Sequence, residues 1–216
     1  GVISPFERQR NKSLASDDVP QVFNVTFVYE LPLGKGKRWL SGSRAADLAL
    51  GGWSVASIFH ASAGRPLWFR SGYCNVPSQF RVGCIPGVLP GKSVFATDLD
   101  SFDPASGQSL FNKDAFEPEA AFNFFYGTGP RITNHRAYGF RNFDMALYKN
   151  FHFTERIRFQ LRGEFFNLFN WHSFTPGTQN WGGQAFTTDI ASPDFGQWNG
   201  SVSSPRNIQL GARFEF

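Results

Sequence analysis

The chain of 216 residues carries 21 lysines and arginines against 17 acidic residues, which gives a net charge of +4. Aromatic residues make up 17% of it, yet the mean hydropathy is −0.29. No segment approaches the roughly 18 to 20 uncharged apolar residues of a transmembrane helix, so any membrane crossing has to use strands. Basic residues are scattered except for GKGKR at 34–38, and this pattern does not favour a nucleic-acid partner.

The N-terminal third contains two segments with the period-two alternation of a β-strand. In the first, alternate residues from Phe23 to Leu31 are apolar and those between them are mostly polar, until Pro32 ends the pattern. Residues 53–61 form a weaker second segment. Ile58 falls there among the residues of the opposite face, which leaves the strand register open.

The C-terminal part contains three further alternating segments. Residues 143–148 and 156–165 are joined through the short polar link Thr154-Glu155, and they are predicted to form a hairpin with a tight turn. The last segment, 207–216, alternates over its whole length and ends at Phe216. Each of these segments therefore predicts a strand with one apolar and one polar face.

The connections between these strands alternate in length. Residues 64–140 and 170–204 are long and rich in Gly, Pro, Ser, Asn and Asp, whereas the others are short to moderate. A transmembrane barrel with short turns on one side and long loops on the other has this pattern. We therefore predict an all-β fold of antiparallel up-and-down strands over residues 1–216, an incomplete transmembrane β-barrel segment with about six long strands. The two long loops are expected to be extracellular.

Alternation alone does not distinguish an apolar face turned toward lipid from one turned toward a protein core. Three features favour lipid: strands longer than the usual five or six residues, aromatic residues near strand ends, and long loops on one side only. The polar face would then line a lumen, and its charges are expected to pair across neighbouring strands. The charged residues predicted to face the lumen are Arg156, Arg158, Arg162, Glu164, Arg213 and Glu215.

Two candidate features lie outside the strands. Trp171, Trp181 and Trp198 could stack on a sugar ligand, although loop aromatics also pack loops together or lie at a membrane interface. Cys74 and Cys84 lie close together, which favours a local disulfide, formed in an oxidising compartment, over free thiols. Two cysteines are too few for a structural zinc site.

No catalytic or cofactor-binding arrangement is apparent in the sequence. The four histidines are scattered, and none forms the helical His pair of a zinc protease. The aspartates of residues 97–107 lack the glycine and distal glutamate of a calcium loop, and GTGP at 127–130 lacks the ending of a phosphate-binding loop. We expect no enzymatic activity, no metal and no cofactor.

Four sequence motifs follow one another along the chain: YELPLGKGKRW, GGWSVASIFHASAGRPL, GFRNFDMALYKNFHFTERIRFQLRGEFFNLFN and PRNIQLGARFEF. Together they resemble the C-terminal part of TonB-dependent receptors, specifically the Oar-like group that bears a carboxypeptidase-regulatory domain. The similarity covers most of the chain, and residues 71–111 match least. In that family the motif RxEFFNLFN, here residues 162–170, lies in the penultimate strand and its exit.

The resemblance implies a protein of the Gram-negative outer membrane that imports a bulky nutrient, such as a siderophore or a glycan, with energy supplied through TonB. Such receptors have about 22 strands around an N-terminal plug, through which TonB acts. The sequence suggests about six strands and contains no plug, TonB-contacting box or signal peptide. We therefore expect it to be the last quarter of a receptor, as a fragment or a truncated gene product.

The terminal aromatic residues, Phe216 with Phe214, resemble the signal by which the barrel-assembly machinery recognises its clients. The expected partners are this machinery, outer-membrane lipid and, through the plug, TonB. Two other functions stay open from the sequence. One is a soluble β-sandwich that binds glycans, and the other is a small self-standing outer-membrane barrel with a structural role.

Overall fold

The computed structural model describes residues 3, 7–39, 42, 44–77, 83–154, 156–175 and 185–216. The chain divides into two compact units. We call Gln21–Ser62, Phe140–His172 and Ser204–Phe216 the strand unit, and Gly1–Pro20, Ala63–Gly139 and Ser173–Ser203 the loop unit. No helix in the described ranges is long and apolar enough to cross a membrane.

Secondary structure consists mainly of long strands. The elements in chain order are β1 (Val22–Glu30), α1 (Arg44–Leu50), β2 (Trp53–Ser62), β3 (Phe140–His152), β4 (Arg158–Phe166), β5 (Phe174–Thr175), β6 (Ser201–Val202) and β7 (Asn207–Glu215). Short 3-10 helices occupy Arg8–Asn11, Pro104–Ser106, Lys113–Ala115 and Glu119–Asn123. The five alternating sequence segments correspond to the five long strands.

The strand unit contains one five-stranded sheet in the order β1-β2-β3-β4-β7, and every neighbouring pair is antiparallel. The all-β, up-and-down architecture predicted from the alternation is confirmed. The register also settles the position of Ile58, which lies opposite Thr26 on one side and Asp144 on the other. Ile58 is therefore an apolar residue on the face of the sheet that carries Thr26 and Asp144.

The β3–β4 turn ends later in the chain than the sequence pattern indicates. The N–H groups of Phe153 and Thr154 both donate to the carbonyl oxygen of Ile157, at 3.1 and 3.3 Å. The Thr154 hydroxyl accepts the N–H groups of Arg156 and Ile157. These bonds hold Arg156 in the turn, so the prediction that it lies on a strand face is wrong, and β4 begins at Arg158.

Two asparagines of the EFFNLFN motif form the exit from β4. Asn167 and Asn170 have φ angles of 52° and 53°, in the left-handed region that asparagine tolerates better than most residues. The Asn167 amide oxygen accepts the N–H of Trp171 at 2.9 Å, and the Asn170 amide oxygen accepts the N–H of Arg206 at 2.9 Å. The motif thus fixes both the position of Trp171 and the entry into β7.

The loop unit has a hydrophobic core of its own, although its sequence has no periodic apolar pattern. Phe69 lies at its centre, 5.0 Å from the ring centroid of Phe111 and 4.7 Å from that of Phe116. The core residues are Leu67, Phe69, Val76, Cys84, Val94, Phe102, Leu110, Phe111, Ala115, Phe116, Phe122, Ala185, Phe186, Ile190 and Phe195. The long connections are therefore packed chain segments.

Polar contacts and one disulfide secure the irregular backbone of the loop unit. The Glu117 carboxylate accepts hydrogen bonds from the N–H of Gly87 and from both the N–H and the hydroxyl of Thr128, at 2.8 to 3.0 Å. Cys74 and Cys84 are joined by a disulfide. Burial lowers the pKa of His135, because the low-dielectric surroundings disfavour the charged imidazolium.

We predict that Phe69→Ala destabilises the loop unit by about 3–5 kcal/mol, because the residue is 2% exposed and its removal leaves a cavity among several rings. The measurement is the rate of limited proteolysis within residues 83–139 in the folded protein. The matched control is Phe124→Ala, since Phe124 is 91% exposed. Equal cleavage rates for the two variants would contradict this account of the core.

Candidate functional site

The strand register separates the side chains of the sheet into two faces. Residues directly opposite each other in neighbouring strands point to the same side. The even-numbered residues of β1, β2, β3 and β4 therefore share a face with the odd-numbered residues of β7. We call this the polar face and the opposite one the apolar face.

The remaining predicted lumen residues all lie on the polar face: Arg158, Arg162, Glu164, Arg213 and Glu215. Their ion pairs run along the strands, whereas we expected pairs across strands. Arg162 lies 3.9 Å from Glu164, and Arg213 lies 2.9 Å from Glu215. Because side chains two residues apart share a face, they can meet without a cross-strand partner, and such exposed pairs add little stability.

The polar face borders a half-open cavity of about 380 Å³ near the end of the sheet where β3 turns into β4. Its lining residues are Glu30, Asn150, His152, Arg158, Gln160, Arg213 and Glu215. Glu30 belongs to β1 and Glu215 to β7, the two outermost strands of the sheet. In a flat sheet these strands would be about 19 Å apart, so one cavity bounded by both indicates that the polar face is concave.

The cavity lining offers hydrogen-bond donors and acceptors of both charges. Gln160 donates to the amide oxygen of Asn150 at 2.8 Å, and Lys37 donates to the Glu30 carboxylate at 2.8 Å. No cluster of three or more metal-ligating side chains occurs in the described residues. The charged and amide groups of the lining suit this surface to contact with water and polar solutes.

Sequence reasoning did not select Glu30, Asn150, His152 and Gln160 as members of this site. Their positions along the strands would have identified them. Each lies an even number of residues from another polar-face residue of the same strand, so both side chains point to the same side of the sheet. What the sequence did not reveal is the curvature of the sheet, which brings β1 and β7 to one cavity.

The apolar face is exposed over much of its area. Phe27 is 46% exposed, Leu210 85% and Phe214 58%. A soluble sheet covers such a face with a second layer, whereas a barrel wall turns it toward lipid. The apolar side chains thus lie on the convex side of the sheet and the charged ones on the concave side.

The tryptophans suggested as a sugar platform lie in different surroundings. Trp171 packs against Phe169 and Phe59, at centroid distances of 4.9 and 6.3 Å, and so belongs to an aromatic cluster of the strand unit. Trp198 packs against Phe174 within the loop unit and contacts the edge of its core. Trp181 lies outside the described residues. The alternatives to sugar binding are that such tryptophans pack loops together or lie at a membrane interface. The ring packing of Trp171 and Trp198 agrees with these alternatives.

The C-terminal aromatic residues continue the apolar face of β7. Phe214 and Phe216 have ring centroids 6.1 Å apart, and Phe216 is 95% exposed. Both lie at the end of the sheet that carries the short β3–β4 turn, because β7 runs antiparallel to β4. Their ring surfaces are therefore accessible to a binding partner.

Comparison with known proteins agrees with this geometry. A family model described as "Outer membrane beta barrel domain" matches residues 1–209. No curated protein and no solved structure matches the chain.

We predict that Leu210→Arg impairs assembly in the outer membrane, whereas Gln209→Arg does not. Both positions are exposed, so lost packing contributes little to the effect of either variant. The arginine at position 210 would face lipid near the middle of the strand, which destabilises the barrel by about 2–4 kcal/mol. The measurement is the amount of folded protein in outer-membrane fractions. Equal amounts of the two variants would refute the assignment of the faces.

Proposed function

The chain belongs to the outer membrane beta barrel domain family and resides in the outer membrane of a Gram-negative bacterium, and we propose that it forms wall strands of a TonB-dependent importer. Its proposed substrate is a bulky nutrient such as a siderophore or a glycan. The observation that carries this proposal is the curvature of the sheet, with charged side chains on the concave face and exposed apolar ones on the convex face.

The sheet also supports a barrel with more strands than the described residues contain. Within them, β1 and β7 each have a neighbouring strand on one side only. A transmembrane barrel leaves no unpaired edge in the hydrocarbon layer, because each unsatisfied backbone group there costs several kcal/mol. We propose that further strands pair with both edges and enclose a lumen wide enough for a plug and a nutrient.

The motifs that resemble TonB-dependent receptors coincide with structural features of the strand unit. GGWSVASIFHASAGRPL contains β2, and the longest motif contains the β3–β4 hairpin with its asparagine-stabilised exit. The final motif contains β7. Several motifs in series, each placed on a strand or on its exit, support the proposed importer.

The orientation follows from the connection lengths. In bacterial outer-membrane barrels the short turns face the periplasm and the long loops face the outside. We propose that the β3–β4 turn and Phe216 are periplasmic and that the two long loops, residues 64–140 and 170–204, are extracellular. The packed core and the Cys74–Cys84 disulfide found among these residues suit a surface that meets nutrients outside the cell.

The direct test is binding of the purified periplasmic domain of TonB to the complete gene product that contains residues 1–216. We expect specific binding, and we expect the isolated 216-residue chain in detergent to give no heat-modifiable gel shift. A heat-modifiable shift of the isolated chain, without TonB binding by the gene product, would indicate a small self-standing barrel. Monodisperse folded protein in a detergent-free aqueous phase would indicate a soluble sandwich.

We also predict that deletion of Phe216 lowers the surface abundance of the gene product several-fold, because the barrel-assembly machinery would lose an exposed aromatic ring that we propose it recognises. The measurement is surface labelling of intact cells. Deletion of Leu14, which lies outside the strands, serves as the control. Unchanged abundance without Phe216 would argue against a recognition role for this residue.

A further inference from the structure

Two charged residues interrupt the apolar face of the long strands, and both belong to β3. Arg141 lies near the β3 end that follows the long connection, and Lys149 lies eight residues further along the same strand. Between them, the apolar face of β3 carries Phe143, Met145 and Leu147. The other described positions on this face of β1, β2, β4 and β7 are uncharged.

The spacing of the two cations agrees with the thickness of a membrane. Eight residues of strand cover about 26 Å, and at a tilt near 40° this corresponds to about 20 Å along the membrane normal. The apolar band of outer-membrane barrels is roughly 25 Å tall. Arg141 and Lys149 therefore lie close to opposite edges of the hydrocarbon layer.

Lys149 is satisfied by the protein itself. Its side chain is buried, at 4% exposure for the residue, and its ammonium group donates to the carbonyl oxygen of Gly51. It also lies 4.9 Å from the ring centroid of Phe151 and 5.6 Å from that of Trp53. These contacts leave the lysine enclosed by protein atoms, so it is poorly placed to meet a lipid headgroup.

Arg141 differs from Lys149 because it is exposed at the edge of the apolar face. Its guanidinium carbon lies 4.8 Å from the ring centroid of Trp171, and Trp171 is fixed by the Asn167 hydrogen bonds and by packing on Phe169. Stacking uses the face of a guanidinium, whereas bidentate phosphate recognition uses its N–H edge, so the two interactions are compatible. The neighbouring ring of Phe143 offers a surface for an acyl chain.

We propose that Arg141 and Trp171 form a binding site for the phosphorylated headgroup of a membrane lipid. The guanidinium pairs with the phosphate, and the acyl chains lie along the apolar face of β2 and β3. In the orientation proposed above, the site opens to the outer leaflet, whose lipid carries phosphate groups on a sugar headgroup. The site itself requires only that the apolar face meets lipid, so it can be tested without knowledge of the transported nutrient.

The test uses the complete gene product in nonionic detergent, stripped of lipid, with diphosphoryl lipid A as the probe and native mass spectrometry to count bound lipid. We expect one lipid whose apparent affinity falls about tenfold in Arg141→Gln, through loss of charge-assisted hydrogen bonds. Arg141→Lys should weaken binding less, because it keeps the charge but loses the bidentate geometry. Arg162→Gln, on the polar face, is the matched control and should bind as the wild type does.

Two competing compounds, added to the lipid-bound protein, identify what the site recognises. Inorganic phosphate at millimolar concentration and diacylglycerol should both fail to displace the lipid, because each supplies only one of the two contacts. Displacement by either compound would overturn the proposal, in favour of a free-anion site or of purely apolar adsorption respectively. Equal affinity of the wild type and both Arg141 variants would also overturn it.

Discussion

The structure depends on one constraint, which is that successive side chains of an extended strand point to opposite sides. With alternating sequences in five neighbouring strands, this geometry collects charged and amide groups on one face and aliphatic and aromatic groups on the other. Curvature then gives the two faces different roles, because the concave side encloses the polar groups around Arg158 and Glu215. In a barrel wall this arrangement turns the apolar side toward lipid and the polar side toward water. In a water-soluble sheet of the same curvature, the apolar side would be exposed to water.

The loop unit follows a different physical rule. Its segments have no period, but they carry many phenylalanines among Gly, Pro and Ser, and the buried rings around Phe69 and Phe111 provide apolar surface that offsets the entropy of ordering irregular backbone. Carboxylates such as Glu117 accept backbone N–H groups that no strand partner satisfies. Long connections of this kind form a compact unit through aromatic packing and side-chain capping, with little regular secondary structure.

Sequence pattern predicted the strands well because alternation is a local property, and Arg158, Arg162 and Arg213 share the polar face of the sheet, as their alternation indicates. It misplaced Arg156, because the Thr154 hydroxyl stabilises a turn that extends into the alternating segment. It also predicted cross-strand charge pairs, whereas the ion pairs form between residues two apart on one strand, which long side chains can bridge over a spacing of about 7 Å. The core around Phe69 and the curvature that joins Glu30 to Glu215 depend on contacts between residues distant in sequence, which a local pattern does not contain.

The central claim is that the apolar face of the sheet meets lipid while the polar face meets water. Nitroxide labels placed singly at six consecutive positions of β3, residues 143–148, test it in the membrane-embedded protein. We predict that collisions with oxygen, which concentrates in hydrocarbon, are frequent at 143, 145 and 147, and that collisions with a water-soluble nickel complex are frequent at 144, 146 and 148. Equal accessibility to the nickel complex at all six positions would contradict the account.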